Sequence, residues 1–434
     1  MNMRRIRLAA LLAVALLAAP LLVRAANEGA NAYKELGLFG DVLELVQSNY
    51  VEPVDTDKLI AAALNGMLTS LDPHSSYLDP KSYQEMQVET KGEFGGLGME
   101  VTLKDGLVQV VSPIDDTPAS RAGLQAGDLI TAIDGKSVMG LTLSEAVDKL
   151  RGPRNSSVKL TIHRGSAEPF DLTLTREVIK MHPAHAQLYG KIGYLRIAIF
   201  SERADKEARA ALDSLRHQAG GPLQGLVLDL RDDPGGLLEQ SVAVAGDFLD
   251  SGQIVSTRGR RAQDDQQFKA EGEDLTKGVP MVVLINGGTA SAAEIVAGAL
   301  RDNHRGVVMG VRSFGKGTVQ TIIPIPGHGA VRLTTARYYT PSGHSIQDVG
   351  IEPDIVVHAG KAEAAKEARR LRESDLPRAL KNPDGAPAKI DKEPGESGPA
   401  TAQATSSSSG GDVQLERALD YLRGAAASKG GARP

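Results

Sequence analysis

The sequence predicts a multi-domain protein of the α/β (α+β) class, and three observations lead to this prediction. A chain of 434 residues is too long for one ordinary hydrophobic core. Residues 179–360 alternate continuous apolar runs with helix-like segments, which is typical of a parallel sheet built from βα units. Residues 92–178 have the short strands and glycine turns of a small inserted domain, and residues 28–91 have a helical pattern.

The first 25 residues have the order of a secretory signal peptide. Arg4, Arg5 and Arg7 form a basic start, an apolar run of about 16 residues follows, and the small residue Ala25 ends it. The run is shorter than the roughly 20 residues that span a bilayer. We expect residues 1–25 to direct export and to be cleaved, with an uncleaved membrane anchor as the alternative.

The composition excludes several classes of protein. The chain has no cysteine, which excludes disulfides, thiolate catalysis and cysteine-ligated metal. Its net charge is -5 and aromatic residues make up only 4% of it. An acidic chain with few aromatic side chains is a poor partner for nucleic acid.

The segments on either side of the inserted domain are helical in pattern or polar. Leu36, Phe39, Leu43 and Val46 recur at helical spacing, so residues 28–91 are predicted to cap the core or to form an oligomer contact. Residues 361–434 are rich in Ala, Lys, Glu, Pro and Ser, which predicts a flexible tail. Near its end, Val413 to Leu422 could form a short amphipathic helix, either packed or in contact with a partner.

The predicted core contains a buried strand at Met281–Ile285, a helix at Ala292–Leu300 and a strand at Val307–Val311. Such a unit is expected to form a parallel, right-handed crossover. Ser291 lies between the first strand and the helix, where free N–H groups and the positive helix end can stabilise an oxyanion. Ser291 and Glu294 also fit a Ser-x-x-Glu capping box, so on this segment alone a structural cap is favoured.

A lysine can act as the base for a serine nucleophile if burial keeps its amine neutral. Lys316 follows Ser291 by 25 residues in a glycine-rich stretch, and Gln320 would share its face if a strand begins there. An ordinary solvated lysine is the alternative. Gly310 to Lys316 also matches part of a phosphate-binding loop, but Gly317 replaces the residue that would hold magnesium.

Two further features of the sequence have an ordinary structural interpretation. Gly235 and Gly236 follow a predicted buried strand and could bring backbone close to a ligand, although alone they indicate an ordinary turn. His182 and His185 are separated by Pro183 and have no adjacent acidic cluster, so neither a metal site nor a cofactor is predicted.

In their order along the chain, these segments resemble the carboxyl-terminal processing proteases, also called tail-specific proteases. The resemblance covers roughly Leu36 to Val357. It is carried by several spaced motifs: Tyr50–Glu52, Leu71–Tyr77, Gly95–Glu100, Pro118–Leu124, Ala126–Asp128, Asp229–Arg231, Pro234–Gly236, Asn286–Ile295, Phe314–Gln320 and Tyr339–Gly343.

The resemblance implies roles for particular residues. Ser291 would be the nucleophile, Lys316 the general base and Gln320 the residue that orients the lysine. The oxyanion would be bound by the N–H of Ala292 and by one from Gly235 or Gly236.

Residues 92–178 would form a PDZ domain, whose loop for the terminal carboxylate of a peptide would contain Gly96, Leu97, Gly98 and Met99.

Two departures from the family pattern stand out. Ala293 occupies the place of a usual second serine, and Asp232-Asp233 replace a pair that usually contains Asn.

The function implied by the resemblance is that of an exported, periplasmic serine endopeptidase with a Ser-Lys dyad, guided by its PDZ domain to the C-terminal region of its substrates. Proteins with apolar C-termini are the expected partners, together with a homo-oligomer and a helical-repeat lipoprotein adaptor. A non-catalytic PDZ scaffold and a Ser-Lys amidase for small amides are the alternatives.

Overall fold

The computed structural model describes residues 35–114, 116–165, 167–180, 182–360, 367, 370–385 and 412–430. The predicted signal segment, residues 1–25, lies outside them. Helices and four separate sheets alternate along the chain, which confirms the α/β (α+β) class. Within the part of the chain that is described, no helix is long and apolar enough to cross a membrane.

The N-terminal part is mainly helical, as its spacing predicts. Leu36 and Phe39 on its first helix are exposed. The elements in chain order are α1 (35–49), α2 (Thr56–Thr69), β1 (Ser76–Leu78) and α3 (Pro80–Lys91).

The next segment forms a six-stranded antiparallel sheet with two helices. Strand β2 comes before this sheet in the chain and β9 after it, and the two pair with each other as a two-stranded ribbon. Its apolar side chains enclose a core of their own, which includes Val110, Ile130 and Leu160. The elements are β2 (Glu93–Gly96), β3 (Met99–Lys104), β4 (Leu107–Pro113), α4 (Pro118–Arg121), β5 (Leu129–Ile133), β6 (Lys136–Ser137), α5 (Leu143–Leu150), β7 (Ser157–His163), β8 (Phe170–Thr175) and β9 (Glu177–Lys180).

The remaining strands form two sheets. A six-stranded sheet has the order β10-β11-β12-β15-β16-β19 and is parallel except at β10. A five-stranded sheet has the order β1-β18-β13-β14, with β17 also paired to β18. The elements are β10 (Ala184–Tyr189), β11 (Ile192–Ile197), α6 (Ala204–Ala219), β12 (Gly225–Asp229), α7 (Leu238–Gly246), β13 (Gln253–Gly259), β14 (Gln266–Lys269), β15 (Met281–Ile285), α8 (Ala292–Asp302), β16 (Val307–Gly310), β17 (Thr318–Pro324), β18 (Ala330–Tyr339), β19 (Ile355–Val356) and α9 (Val413–Gly430).

Both faces of the parallel sheet are buried, which explains why its strands are apolar at every position. On β15, Met281, Val283 and Ile285 face one apolar cluster, which α6, α7 and α8 also line. Val282 and Leu284 face another cluster, where the C-terminal helix α9 covers the sheet. The strands β15 and β16 are parallel, as predicted for the strand-helix-strand unit.

The C-terminal region differs from the predicted flexible tail at residues 370–385, whereas its last described segment forms the helix predicted from Val413 to Leu422, in the packed alternative. Residues 370–385 include a 3-10 turn at Glu373–Asp375, in which Glu373 is fully buried. Helix α9 buries Ala418, Leu419 and Leu422 against the parallel sheet. The prediction of a flexible tail failed at residues 370–385 because composition does not reveal contacts with residues that lie far away in the sequence. The rest of the predicted tail lies mostly outside the described residues.

Candidate active site

Ser291 lies at the turn between the buried strand β15 and helix α8. Its backbone has φ +55° and ψ -114°, a sparsely populated combination that costs on the order of 1–3 kcal/mol. The turn is fixed by Asn286, whose Oδ1 accepts from the N–H of Gly288 (2.9 Å), and by Thr289, whose hydroxyl donates to the carbonyl of Leu230 (2.8 Å). A helix cap alone does not need such a conformation, whereas strained backbone is common at active sites.

Glu294, in the first turn of α8, joins the serine segment to the lysine segment. Its Oε2 accepts from the N–H of Ser291 (2.8 Å) and from the N–H of Lys316 (2.9 Å). Its Oε1 accepts from the N–H of Gly315 (2.7 Å) and from the hydroxyl of Ser313. Since one oxygen accepts both of the first two bonds, the nitrogens of Ser291 and Lys316 lie no farther apart than the sum of those bonds, 5.7 Å.

The carboxyl of Glu294 is fully buried. Burial raises its pKa to about 7, although its hydrogen bonds to Ser313 and to three backbone N–H groups favour the ionised form. The predicted capping role therefore describes only part of what Glu294 does, because the same carboxyl also fixes the loop that carries the lysine.

Lys316 lies in the loop between β16 and β17. Burial lowers its pKa, and the positive charge of Arg332 acts in the same direction. The carboxylates of Glu373, Glu294 and Asp72 act in the opposite direction. The net shift is downward, so the amine loses its proton more readily than a solvated lysine would, and a general base requires a neutral amine.

Gln320 lies on β17, four residues after Lys316. Its amide nitrogen donates to the hydroxyl of Thr318 (2.9 Å) and to that of Thr334 on β18 (3.4 Å). The hydroxyl of Thr334 in turn donates to Asp72 (3.1 Å). The amide group of Gln320 is therefore fixed by its nitrogen, and no donor to its oxygen is found among the residues that the structure describes.

The loop that follows β12 lies directly against Ser291. The N–H of Ala290 donates to the backbone carbonyl of Asp233 (2.9 Å). Gly235 has φ +101°, and a Cβ built on it would lie 2.9 Å from both the Cβ of Ser291 and the backbone nitrogen of Ala292. Only glycine fits here, both because of the positive φ and because of the close approach.

The two glycines of this loop differ in their N–H groups. The N–H of Gly235 donates to Oδ1 of Asp233 (2.8 Å). Within the described part of the chain, the N–H groups of Gly236 and Ala292 have no hydrogen-bond partner. The pair with free donors is therefore Ala292 and Gly236.

A separate groove lies on the small antiparallel domain, at the loop between β2 and β3. Leu97 is buried, and Gly98 has φ +76° with its carbonyl accepting from the hydroxyl of Thr117 (2.9 Å) and from the N–H of Ile114 (2.9 Å). The loop borders a cavity of about 180 Å³. Its lining is mostly apolar and consists of Phe94, Gly96, Leu97, Gly98, Met99, Val101, Val147, Leu150 and Arg151.

Several residues near the lysine were not predicted as parts of the site. Asp72 and His74 belong to the N-terminal segment, Gln347 lies after β18 and Glu373 lies in the C-terminal segment. Glu294 had a signal in the sequence, namely its capping pattern, and Asp72 and His74 lie within the Leu71–Tyr77 motif that carries the family resemblance. Gln347 and Glu373 are brought to the lysine by long-range contacts that leave no local pattern.

A metal centre is not evident in the described ranges, where no group of three or more His, Asp or Glu side chains is arranged to hold a metal ion. His182, which the sequence analysis considered, has its ring Nδ1 3.1 Å from the Glu207 carboxylate.

Comparison with known protein families gives matches in three parts of the chain. The model of peptidase family S41 matches residues 191–357, a PDZ domain model matches residues 109–164, and the model of the activating protease CtpB N-terminal domain matches residues 18–82. The small antiparallel domain is therefore a PDZ domain, a kind of domain that binds peptides.

Curated relatives agree with these models. The carboxy-terminal-processing protease of Bartonella bacilliformis is 49% identical over 401 residues, which is 92% of this chain and 90% of the relative. The carboxyl-terminal-processing protease of Synechocystis is 39% identical over 323 residues, covering 72% of this chain and 74% of the relative.

Among solved structures, a photosystem II D1 C-terminal processing protease is 32% identical and covers 74% of this chain and 92% of its own, with a TM-score of 0.43. The extent of identity to the curated relatives confirms the resemblance read from the sequence. The chain belongs to the carboxyl-terminal processing proteases of peptidase family S41 and is a serine-type C-terminal processing peptidase.

Proposed function

We propose that this peptidase cleaves peptide bonds with Ser291 as the nucleophile and Lys316 as the general base. The observation that carries the proposal is the shared Glu294 carboxylate, which accepts from the backbone N–H of both residues. The strained backbone at Ser291 and the lowered pKa of Lys316 support the same assignment.

The proposed reaction begins when the neutral amine of Lys316 takes the proton of the Ser291 hydroxyl. The serine oxygen attacks the scissile carbonyl, and the resulting oxyanion is bound by the N–H groups of Ala292 and Gly236. The lysine ammonium then gives its proton to the leaving amine, so that the C–N bond breaks and an acyl-enzyme remains. Water, deprotonated by the same lysine, hydrolyses the ester and restores Ser291.

Gln320 is proposed to orient the lysine. With its amide nitrogen donating to Thr318 and Thr334, its oxygen is the group left to accept a hydrogen bond from the amine of Lys316. Gly235 is proposed to serve by its close fit against Ser291, because its own N–H already donates to Asp233.

Substrate selection is proposed to occur at the PDZ groove. Backbone N–H groups of the loop Gly96, Leu97, Gly98 and Met99 would bind the terminal carboxylate of a protein or peptide. The apolar lining of the adjacent cavity would then accept an apolar last side chain. The expected substrates are therefore proteins with apolar C-termini.

The cellular setting is also part of the proposal. The basic and apolar order of residues 1–25 supports export, and the periplasm is the proposed location. A homo-oligomer and a helical-repeat lipoprotein adaptor are proposed partners on the strength of the family resemblance alone.

The test uses a fluorogenic peptide that ends in an apolar residue, incubated with the wild-type protein, with Ser291→Ala and with a variant at the nearby Ser313, Ser313→Ala. We expect cleavage by the wild type and none by Ser291→Ala, whereas Ser313→Ala should keep measurable activity because its hydroxyl is not the nucleophile. Amidating the C-terminus of the peptide should raise KM, since the carboxylate is lost. Full cleavage by Ser291→Ala would overturn the assignment of the nucleophile.

A further inference from the structure

The segment at residues 370–385 extends along the lysine side of the site. Glu373, near its start, has no exposed surface. Its backbone N–H donates to the carbonyl of Phe314 (3.2 Å), two residues before the lysine. The segment therefore packs beside the lysine loop instead of extending loosely from the core. The buried charge of Glu373 must be compensated by hydrogen bonds or by opposite charge.

The carboxylate of Glu373 is compensated on both of its oxygens. Its Oε1 accepts from the side-chain amide of Gln347 (2.9 Å), and its Oε2 lies 2.7 Å from Nε2 of His74. The same Gln347 accepts, through its own oxygen, from the N–H of Gly317 (2.9 Å). The chain Glu373–Gln347–Gly317 therefore ends at the residue directly after Lys316.

The lysine loop is consequently held from two sides. Glu294 accepts from the N–H groups of Gly315 and Lys316. The backbone N–H of Glu373 donates to the carbonyl of Phe314, and its carboxylate reaches the N–H of Gly317 through Gln347. Two buried glutamates from different elements therefore help to fix the loop on either side of Lys316.

The charged side chains that shift the pKa of the Lys316 amine come from several different elements. Arg332 on β18 favours the neutral amine of Lys316, together with burial. Glu373 from the C-terminal segment, Glu294 from α8 and Asp72 from the N-terminal segment favour the ammonium. Removal of one carboxylate should therefore lower the pKa of the lysine further.

We propose that the side chain of Glu373 positions Lys316, acting through Gln347 on the lysine loop and by its charge on the amine, with His74 holding the carboxylate in place. The proposal rests on the assignment of Lys316 as general base. The C-terminal segment thereby contributes a residue that the reaction needs, rather than only covering the core.

Two variants separate this role from simple anchoring of the segment. Glu373→Gln keeps the shape and a hydrogen-bonding amide but loses the charge. Glu373→Ala loses both. The matched control is Asp384→Ala, because Asp384 lies in the same segment and accepts from the N–H of Ser345 (2.8 Å), and among the described residues its carboxylate makes no hydrogen bond to residues 314–317.

The measurement is kcat and KM for the tailed peptide between pH 5 and 10, with circular dichroism and thermal unfolding to compare folding. Glu373→Gln should move the acid limb of kcat/KM to lower pH by about half a unit or more, since a nearby opposite charge favours the charged form. Glu373→Ala should lower kcat at least about tenfold with KM nearly unchanged, because misplacement of a catalytic group costs rate rather than binding. Asp384→Ala should alter stability but leave the profile in place.

The proposal is overturned if the pH profile of Glu373→Gln superimposes on that of the wild type, or if Glu373→Ala keeps the kcat of Asp384→Ala. A parallel measurement on Lys316→Ala identifies the cause. If Lys316→Ala is inactive and the Glu373 variants are normal, only this inference fails. If Lys316→Ala is active, the assignment of the base fails, and this inference with it.

Discussion

The loop beside the nucleophile contains an aspartic acid whose ionisation should control the reaction. Asp233 is fully buried, its Oδ1 accepts from the N–H of Gly235 (2.8 Å), and no partner for its Oδ2 exists in the described residues. Burial raises its pKa to about 8, against the lowering effects of the Gly235 N–H and of Arg196. The family resemblance places an Asn-containing pair at Asp232-Asp233, so a protonated Asp233 would act as the uncharged equivalent.

Substitution of Asp233 by Asn should remove an alkaline limb from the pH profile. With a pKa of about 8, the carboxyl is about 90% protonated at pH 7 and about 10% at pH 9. An ionised carboxylate beside Gly235 and Gly236 repels the negative charge of the oxyanion. The wild type should therefore lose about tenfold in kcat/KM between about pH 7 and about pH 9. Asp233→Asn should lose little of its kcat/KM over the same pH interval.

The assay is the initial rate of cleavage of the tailed peptide from pH 6 to 10 at constant ionic strength. Urea unfolding provides an independent check. A carboxyl with a raised pKa binds its proton more tightly in the folded state, so its contribution to stability falls as pH rises from about 4 to about 8. Relative to the wild type, Asp233→Asn should gain stability over this window. Superimposed alkaline limbs for the two proteins would show that ionisation of Asp233 does not affect the reaction.

Three further changes test the geometry. Gly235→Ala should reduce cleavage at least about 100-fold, since its Cβ would lie 2.9 Å from that of Ser291. The control is Gly127→Ala, at φ +92° with open space around it, which should retain activity. Equal cleavage rates for the two variants would contradict the close fit of Gly235 against Ser291. Glu294→Gln should lower kcat at least about tenfold, because an amide cannot accept on both sides as the carboxylate does; an unchanged kcat would show that the bridge is dispensable. Leu422→Ala should destabilise the protein by about 2–4 kcal/mol in urea unfolding without moving the pH profile, and unaltered stability would mean that α9 does not stabilise the sheet.

Local patterns predicted much of the core. The strand Met281–Ile285 has the bounds that the sequence predicts, and the helix predicted at Ala292–Leu300 begins at Ala292 and ends at Asp302. Both depend on side chains that are close in sequence, namely a continuous apolar run and a capped amphipathic turn. The spacing between Ser291 and Lys316 likewise fits two loops that follow neighbouring parallel strands, β15 and β16.

The parts that could not be predicted depend on distant contacts. His74 and Glu373 are separated by 299 positions along the chain and lie within hydrogen-bonding distance of each other. Neither has a periodic or capping pattern that points to the other. The raised pKa of Asp233 also follows from burial by the fold, which no local sequence pattern measures.

The proposed mechanism requires the amine of Lys316 to act as the base for Ser291. The decisive measurement is the rate at which Lys316→Ala cleaves the tailed peptide at the pH optimum of the wild type. We expect this rate to fall to the level of Ser291→Ala, with folding preserved in circular dichroism. Cleavage by a folded Lys316→Ala at the wild-type rate would contradict it.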